Sequence, residues 1–418
     1  MREKIVIIGG GFAGLQLAKK LNGKNKKVIV IDRVNHHMFQ PLFYQVACGR
    51  IEPSNISFPF RKIFQQSKNI QFRMSEVRQI LPDVKRVVTA DGDFTYDKLV
   101  IATGCKTNFF GNLKMENLAY GMKNTQEAIS IRNHILLTFE KLIIERRGSD
   151  DGNWNIVIVG SGPTGVELAG AFAEMKKDIL PRDYPRMNFS DLKIILVSGT
   201  EKPLAVMSPE AQQKSEKYLK ELGVEFLSDQ RVTDYDGDRV FLDSGKEIPS
   251  NNVIWAAGVT GNIIAGLKED QVFKNRYIVD RFNRIKGSES IFAIGDIAYM
   301  KTPNYPDGHP QVANVAIHQG KNLANNLLKK TTDTWTEYEY KDLGSLATIG
   351  KYRAVVDLPR LKFQGLLAWY FWMFLHLMLI LSVRNKLAIF FNWMWSYFNK
   401  DSSLRLIILP TKKNPTEQ

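Results

Sequence analysis

Residues 5–14 read Ile5-Val6-Ile7-Ile8-Gly9-Gly10-Gly11-Phe12-Ala13-Gly14, and residues 156–165 read Ile156-Val157-Ile158-Val159-Gly160-Ser161-Gly162-Pro163-Thr164-Gly165. Each is an apolar β-branched run followed by G-x-G-x-x-G and then by a helical pattern. Such a strand, turn and helix can carry a pyrophosphate. The glycines let the backbone turn tightly and approach the phosphates, whose charge rests on the N-terminal amides of the helix. One copy is a weak signal. Two copies, each in the right context, predict two dinucleotide sites held face to face and an α/β fold with two Rossmann-like units.

In the first copy, a helix over Leu15–Leu21 leads to a strand over Val28–Ile31 that ends in Asp32, 18 residues beyond Gly14. An acid there accepts hydrogen bonds from the ribose hydroxyls of an adenosine. A further strand, Lys98–Ala102, ends in Thr103-Gly104. Another, Ser290–Ile294, ends in Gly295-Asp296, which resembles the Gly-Asp pair with which FAD proteins bind the ribityl chain.

The second copy interrupts the first. Its helix, Gly165–Glu174, carries Glu167, and its next strand, Lys193–Val197, ends in Ser198-Gly199-Thr200. A carboxylate at this position favours NADH by pairing with the free 2′-hydroxyl and repelling a 2′-phosphate. Ser198 does neither and Lys202 is close in sequence, so NADH is the expected donor and this strand end leaves room for NADPH as an alternative. The strand Asn252–Trp255, followed by Ala256-Ala257-Gly258, completes this unit beside the nicotinamide. The expected organisation is 1–125 and 266–330 for an FAD unit, 126–265 for an inserted NAD(P) unit, and 331–418 for a C-terminal region.

The chain has 418 residues, 44% of them apolar, enough for two or three domains with substantial cores. Lys and Arg outnumber Asp and Glu, 57 against 43, so an anionic partner is expected: nucleic acid, a bilayer surface or polyphosphate cofactors. The soluble part has no basic run interleaved with aromatics, which argues against nucleic acid. Cys48 and Cys105 stand far apart and form no C-x-x-C or metal-ligand spacing, so neither a disulfide framework nor a metal site is expected. The first apolar run is already the strand that feeds the glycine turn, so no separate leader is expected, and the body is placed on the cytoplasmic side.

From Phe363 to Val383 there are 21 residues without a formal charge; Arg384 and Lys386 break the run, and Leu387–Asn399 is again uncharged and aromatic. The first stretch has the length of a membrane span, about 20 residues, and the second is too short to cross. Trp369, Trp372, Trp393, Trp395 and Tyr397, flanked by Arg384, Lys386, Lys400 and Arg405, read as an interfacial aromatic belt with basic anchors. Attachment to a membrane surface is the expectation, with a true span or a core or dimer helix as the other readings.

Taken together, Phe39-Gln-Pro-Leu-Phe-Tyr-Gln-Val-Ala, Ile51-Glu-Pro-Ser-Asn-Ile, Gly162–Gly170, Ile291-Phe-Ala-Ile-Gly-Asp296 and Asn392-Trp-Met-Trp-Ser-Tyr-Phe are similar to type II, non-proton-pumping NADH:quinone oxidoreductases, over nearly the whole chain. The resemblance implies non-covalent FAD and ping-pong transfer from NADH to FAD and then to quinone. It also implies a C-terminal anchor that holds a quinone tunnel against the membrane, peripheral or monotopic, with a homodimer through the tail as a possible arrangement. It assigns Gly9, Gly11, Phe12, Ala13, Gly14, Asp32, Arg33, Val77, Thr103, Gly104, Gly295, Asp296 and Ala316 to FAD. Gly160, Gly162, Pro163, Thr164, Gly165, Ser198 and Gly258 are assigned to the nicotinamide nucleotide.

Glu167 matches a family glutamate placed where nicotinamide meets flavin, with a part in cofactor positioning and quinone reduction. The family's Ala-Gln-x-Ala quinone motif reads here Ala313-Asn314-Val315-Ala316, so Asn314 replaces a glutamine, and Gln311 lies one turn earlier. His376, a polar ring in the apolar tail, is the third quinone candidate. His318, by contrast, reads as a structural residue. Disulfide reductases of this fold need a cysteine pair beside the flavin, and Cys48 has no neighbour to form one. Sulfide:quinone oxidoreductases need sulfur-carrying cysteines and no intact second fingerprint, so both features weigh against that reading. Menaquinone and ubiquinone are equally compatible with an apolar tunnel.

Overall fold

The two β-branched runs become inner strands of two parallel sheets, since strands apolar on both faces require cover on both. The computed structural model describes residues 2–145, 152–399 and 404–408. The chain divides into two units, one made of residues 1–38, 57–106 and 259–343, the other of residues 39–56, 107–258 and 344–418.

In the first unit, five parallel strands stand in the order Ile291–Ala293, Lys98–Ile101, Lys4–Ile8, Lys27–Asp32, Ile70–Met74. The N-terminal strand is central, with Ile8 paired to Ile31 on one side and to Ile101 on the other. Strand order reverses there, which places the first glycine turn at the switch point where nucleotides bind such sheets. The helix after that turn, Phe12–Leu21, crosses the helix Ala313–Leu327 so closely that a Cβ on Gly320 would stand 2.4 Å from the carbonyl oxygen of Ala13. Only glycine permits that approach. The core beneath includes Val6, Ile29, Leu99, Tyr277 and Ile297, each at most 4% exposed.

In the second unit, four parallel strands stand in the order Val224–Leu227, Ile194–Val197, Ile156–Val159, Asn252–Trp255. The glycine helix Pro163–Glu174 is buried along nearly its whole length and runs into a π-helical turn, Met175–Ile179. Residues 39–56 pack with this unit although they lie within the first in sequence. A three-stranded antiparallel sheet, Ser345–Thr348, Ala354–Asp357 and Lys362–Gln364, leads to two final helices, Leu366–Leu379 and Val383–Asn399.

The 21-residue uncharged run is therefore not one helix. Its first residues finish a strand, Gly365 turns at φ +81°, and Ser382 starts a new helix by accepting the Asn385 N–H at 3.1 Å, a hydroxyl cap. The helix left between them has 14 residues, about 21 Å at about 1.5 Å per residue against a hydrocarbon core of about 30 Å. Among the described residues no helix is long and apolar enough to cross a membrane.

The aromatic belt also needs correction. Trp369, Trp372 and Trp393 are buried, and only Trp395 of the four tryptophans is exposed. The exposed apolar surface is instead a stripe of Leu367, Tyr370, Phe374 and Met378 on one helix and Leu387, Phe391, Met394 and Trp395 on the next. Arg405 is no free anchor, because its guanidinium pairs with Asp183. Lys400 and the Tyr397 side chain lie outside the described residues. Beyond the second helix, residues 404–408 run back along the unit. The Arg132 guanidinium donates to the Leu404 carbonyl, and Asn133 exchanges two hydrogen bonds with Ile408.

Candidate active site

Two of the glycines in the first turn are demanded by the chain itself. At Gly9, φ is +100° and a Cβ would lie 2.3 Å from the Ala102 carbonyl oxygen, while at Gly14 it would lie 1.9 Å from the Gly9 oxygen. Gly11 differs. Its φ of −64° and ψ of −164° suit any residue, and a Cβ there would meet nothing within 4 Å. Its missing side chain clears room only for something outside the chain. No side-chain hydrogen bond caps the helix that follows and its first turn holds no acid, so no carboxylate there opposes the charge of a pyrophosphate.

Asp32 ends the neighbouring strand, where its carboxylate accepts the N–H of Gly10 at 2.7 Å and of Val34 at 3.0 Å. Burial nevertheless holds its pKa above the ordinary value, against the pull of both donors. Gly295, at φ +76°, faces Ala13 and Ala316, where a Cβ would stand 3.2–3.3 Å from theirs. Its N–H donates to Gln319 Oε1 at 2.7 Å, while Gln311 Nε2 donates to the Asp296 carbonyl at 3.0 Å. The Cys105 thiol donates to Asp296 Oδ2 at 3.0 Å, and Thr103 is tied to Asn262 by hydrogen bonds of 2.8 and 3.0 Å. Gly104 turns at φ +65°. Val77 begins a half-buried strand of the same unit, and Arg33 is exposed in the loop after Asp32. These residues fit an FAD adenosine, pyrophosphate and ribityl chain, with an open cradle at Gly11 and a carboxylate at each expected hydroxyl-binding end.

The second turn repeats the logic. A Cβ at Gly160 (φ +103°) or Gly165 would strike backbone, at 2.6 and 1.8 Å, while Gly162 at φ −69° would meet nothing within 4 Å. Pro163 opens the helix, where its missing N–H costs no hydrogen bond, and Thr164 follows it. Gly258, at φ +143°, holds the Asn108 N–H at its carbonyl and lies against Phe110. Ser198 is 2% exposed. Its hydroxyl meets Ser161 Oγ at 2.6 Å and Thr200 Oγ1 at 2.9 Å.

Glu167 sits one turn into this second helix, 9% exposed. Burial pushes its carboxyl up to about 8, so it carries its proton at neutral pH. The Thr348 amide and the Trp372 indole lie beside it and pull the other way, though the indole N–H finds no partner at hydrogen-bond geometry. From Thr348 a chain of polar groups runs outward. The Thr348 hydroxyl meets Tyr44 OH at 3.1 Å, Gln45 Nε2 donates to that phenol at 2.9 Å, and Trp393 Nε1 donates to Gln45 Oε1 at 2.7 Å. His376 stacks on Trp372 with ring centroids 4.0 Å apart, and Phe39 meets it edge-on at 6.2 Å. Because Nδ1 of His376 lies 2.8 Å from the Trp372 carbonyl, which can only accept, Nδ1 carries the proton. Burial holds that imidazole down to about 4, so it is neutral and Nε2 is a bare acceptor.

The sequence motifs thus meet in groups. Phe39, Tyr44 and Gln45 of one motif, Glu167 of another and Trp372 and Trp393 of the tail share one buried network. Their individual roles carried no signal beyond the motif they stood in. The motif around Ala313–Ala316 gives no sign of Gln319 either, whose fully buried amide holds Gly295. Of the two amides expected near quinone, Gln311 is engaged with backbone, whereas Asn314 is half-buried with no hydrogen-bond partner among the described residues.

Residues 3–320 match the model of the pyridine nucleotide-disulphide oxidoreductase family, and residues 343–400 match that of the NDH2 C-terminal domain. The chain is 32% identical to the type II NADH:quinone oxidoreductase NdhA of Mycobacterium tuberculosis, over 96% of this chain and 88% of that one. Among solved structures, NDH2 of Plasmodium falciparum in complex with NADH superposes with a TM-score of 0.90 at 21% identity, covering 98% of this chain and 100% of that one. The sulfide:quinone oxidoreductase of Aquifex aeolicus, the competing reading, superposes less well. Its TM-score is 0.72 at 20% identity, with 96% of each chain covered. By its two family matches and its mycobacterial relative, this chain belongs to the pyridine nucleotide-disulphide oxidoreductases and, within them, to the type II NADH:quinone oxidoreductases.

Proposed function

We propose that this protein oxidises NADH and reduces a membrane quinone without pumping protons, in the overall reaction NADH + H⁺ + quinone → NAD⁺ + quinol. The observation that carries the reading is the pair of cradles at Gly11 and Gly162, cleared of side chain where no atom of the chain needs the room. FAD, held when bound by Gly9–Gly14, Asp32, Arg33, Val77, Thr103, Gly104, Gly295, Asp296 and Ala316, supplies the step that joins a two-electron donor to the quinone.

The chain's residues bind, orient and hold protons. Gly160–Gly165 and Gly258 receive the nicotinamide nucleotide. Glu167, neutral in its pocket, holds a proton at its carboxyl for the reduced quinone to take. Asn314, on the helix and with its amide uncommitted among the described residues, is a better quinone contact than Gln311, which precedes the helix and is held by backbone. His376 offers only an acceptor at Nε2, so it suits the hydroxyl of a quinol and not the carbonyl of a quinone. The exposed apolar stripes of the last two helices fit attachment to the cytoplasmic surface of a membrane, where a lipophilic quinone is found.

The test is an anaerobic titration of the flavin-loaded protein. Bleaching of flavin absorbance by NADH and its recovery on adding a soluble quinone are expected. Bleaching without recovery would remove quinone as acceptor, and no bleaching would remove NADH as donor.

A further inference from the structure

The two glycine units can be compared residue by residue, because their registers coincide. Ile8 pairs with Ile31 ahead of Gly9 and Asp32, as Val159 pairs with Val197 ahead of Gly160 and Ser198. In the first unit, Asp32 takes the Gly10 N–H and the N–H two residues on, from Val34. In the second, the Ser198 hydroxyl takes the N–H two residues on, from Thr200, at 3.1 Å and pairs with Ser161, the counterpart of Gly10. Ser198 thus keeps the bond to the N–H two residues on and replaces the bond to the turn's N–H by a contact between hydroxyls, without the charge of Asp32. Where Asp32 would repel an anion, the second unit has a buried hydroxyl.

A cation stands next to this gap. Gly199 follows Ser198, and a Cβ built on it would touch the Arg231 side chain, at 3.5 Å from Cγ and 3.7 Å from Nε. That is ordinary contact, and it sets the arginine stem beside the backbone that follows the strand end. Arg231 is exposed. Its backbone N–H is held by Asp243 at 3.0 Å, and its guanidinium has no ion-pair partner among the described residues. Lys202, the basic residue nearest in sequence, is already taken by Glu216 at 2.8 Å. Glu201 and Asp229 belong to the same loops, and neither pairs with Arg231.

We propose that Arg231, beside the uncharged strand end at Ser198, forms a 2′-phosphate site, so that the enzyme takes NADPH as well as NADH; the Thr200 hydroxyl donates to the Lys202 carbonyl at 2.9 Å and is no part of it. A guanidinium with five donors and no ion-pair partner among the described residues matches a phosphate dianion, and a strand end without a carboxylate does not oppose it. The reaction is NADPH + H⁺ + quinone → NADP⁺ + quinol, with the hydride leaving nicotinamide C4 as it does from NADH. This inference rests on the nucleotide assignment of the second glycine turn.

The test measures binding as well as turnover on the flavin-loaded full chain. Adenosine 2′,5′-bisphosphate and ADP are titrated calorimetrically into wild type, Arg231→Ala and Arg231→Lys. The expected result is that the 2′-phosphate strengthens binding to wild type. Arg231→Ala should lower the bisphosphate-to-ADP affinity ratio roughly ten-fold or more, the usual effect of losing a charge-assisted contact, and Arg231→Lys should recover part of it. The ratio of kcat/KM for NADPH over NADH should fall in parallel. A wild type that binds ADP better than the bisphosphate, or a ratio unmoved by Arg231→Ala, would overturn the proposal while leaving NADH oxidation intact. Failure of both NADH and NADPH to bleach the flavin would instead overturn the function on which it rests.

Discussion

At the scale of single residues, charge state and empty space say more than identity. Glu167 has a folded pKa of about 8, above its ordinary value of 4.5 because it is buried. The folded protein therefore binds a proton that the unfolded chain releases. The resulting stabilisation is complete below about pH 4.5 and is lost as pH rises through about 8. Replacing Glu167 with Gln removes this dependence, so the melting temperature of the variant relative to wild type should rise between pH 5 and pH 9. Equal differences at the two pH values would mean that Glu167 is ionised in the fold. The same variant should keep its flavin and turn over more slowly with quinone.

Glycines separate in the same way. Gly14→Ala places a Cβ 1.9 Å from backbone and should destabilise the protein by about 1–3 kcal/mol, as overpacking does. Gly11→Ala meets open space and should leave the stability of flavin-free protein within about 0.5 kcal/mol of wild type while lowering the flavin bound per chain. A sequence marks both positions with the same letter. Which glycine serves the fold and which serves the ligand depends on φ and on neighbours from distant strands, so that difference was illegible before the structure. The placement of Asp32, Gly295 and Asp296 at strand ends was legible, because the apolar runs that end there mark it.

At the scale of elements, the last two helices divide their faces. Trp372, Ile389 and Trp393 turn inward, while Phe374 and Phe391 are each 62% exposed. The composition of the tail could not reveal this, because an apolar run with tryptophan every few residues gives no contrast between faces. The helix break was written in the chain, in Gly365 and Ser382, but uncharged length concealed it. Changing Phe374 and Phe391 together to Ser should alter stability by less than about 1 kcal/mol, the ordinary range for two surface substitutions. It should also move the protein from vesicles of anionic lipid into solution in a flotation assay. Retention on the vesicles would place the contact elsewhere.

At the scale of the whole molecule, the parallel sheets and their glycine turns were readable from β-branched runs, since a buried strand needs such residues on both faces. The attachment of residues 39–56 to the second unit was not, because it is made by partners far along the chain: Arg50 pairs with Glu174, Gln45 meets Trp393, and Asn385 meets the Ser54 and Asn55 carbonyls. That attachment shapes the outcome of a truncation. A chain ending before residue 361 loses Trp372 and Trp393, which uncovers Glu167 and leaves Gln45 without its indole donor. The shortened protein should melt at a lower temperature. It should keep flavin and reduce ferricyanide with NADH, because every proposed flavin contact lies before residue 317. It should fail with lipophilic quinones, and unchanged activity with them would dissociate the tail from quinone reduction.

The return of residues 404–408 to Arg132, Asn133 and Asp183 has a mechanical meaning. The two terminal helices are not a free tail but a strap fastened at both ends, by the antiparallel sheet before them and by this clasp after them. A surface that receives one apolar stripe finds the other already beside it, at an effective concentration set by the fastening, so release requires both stripes to lift together.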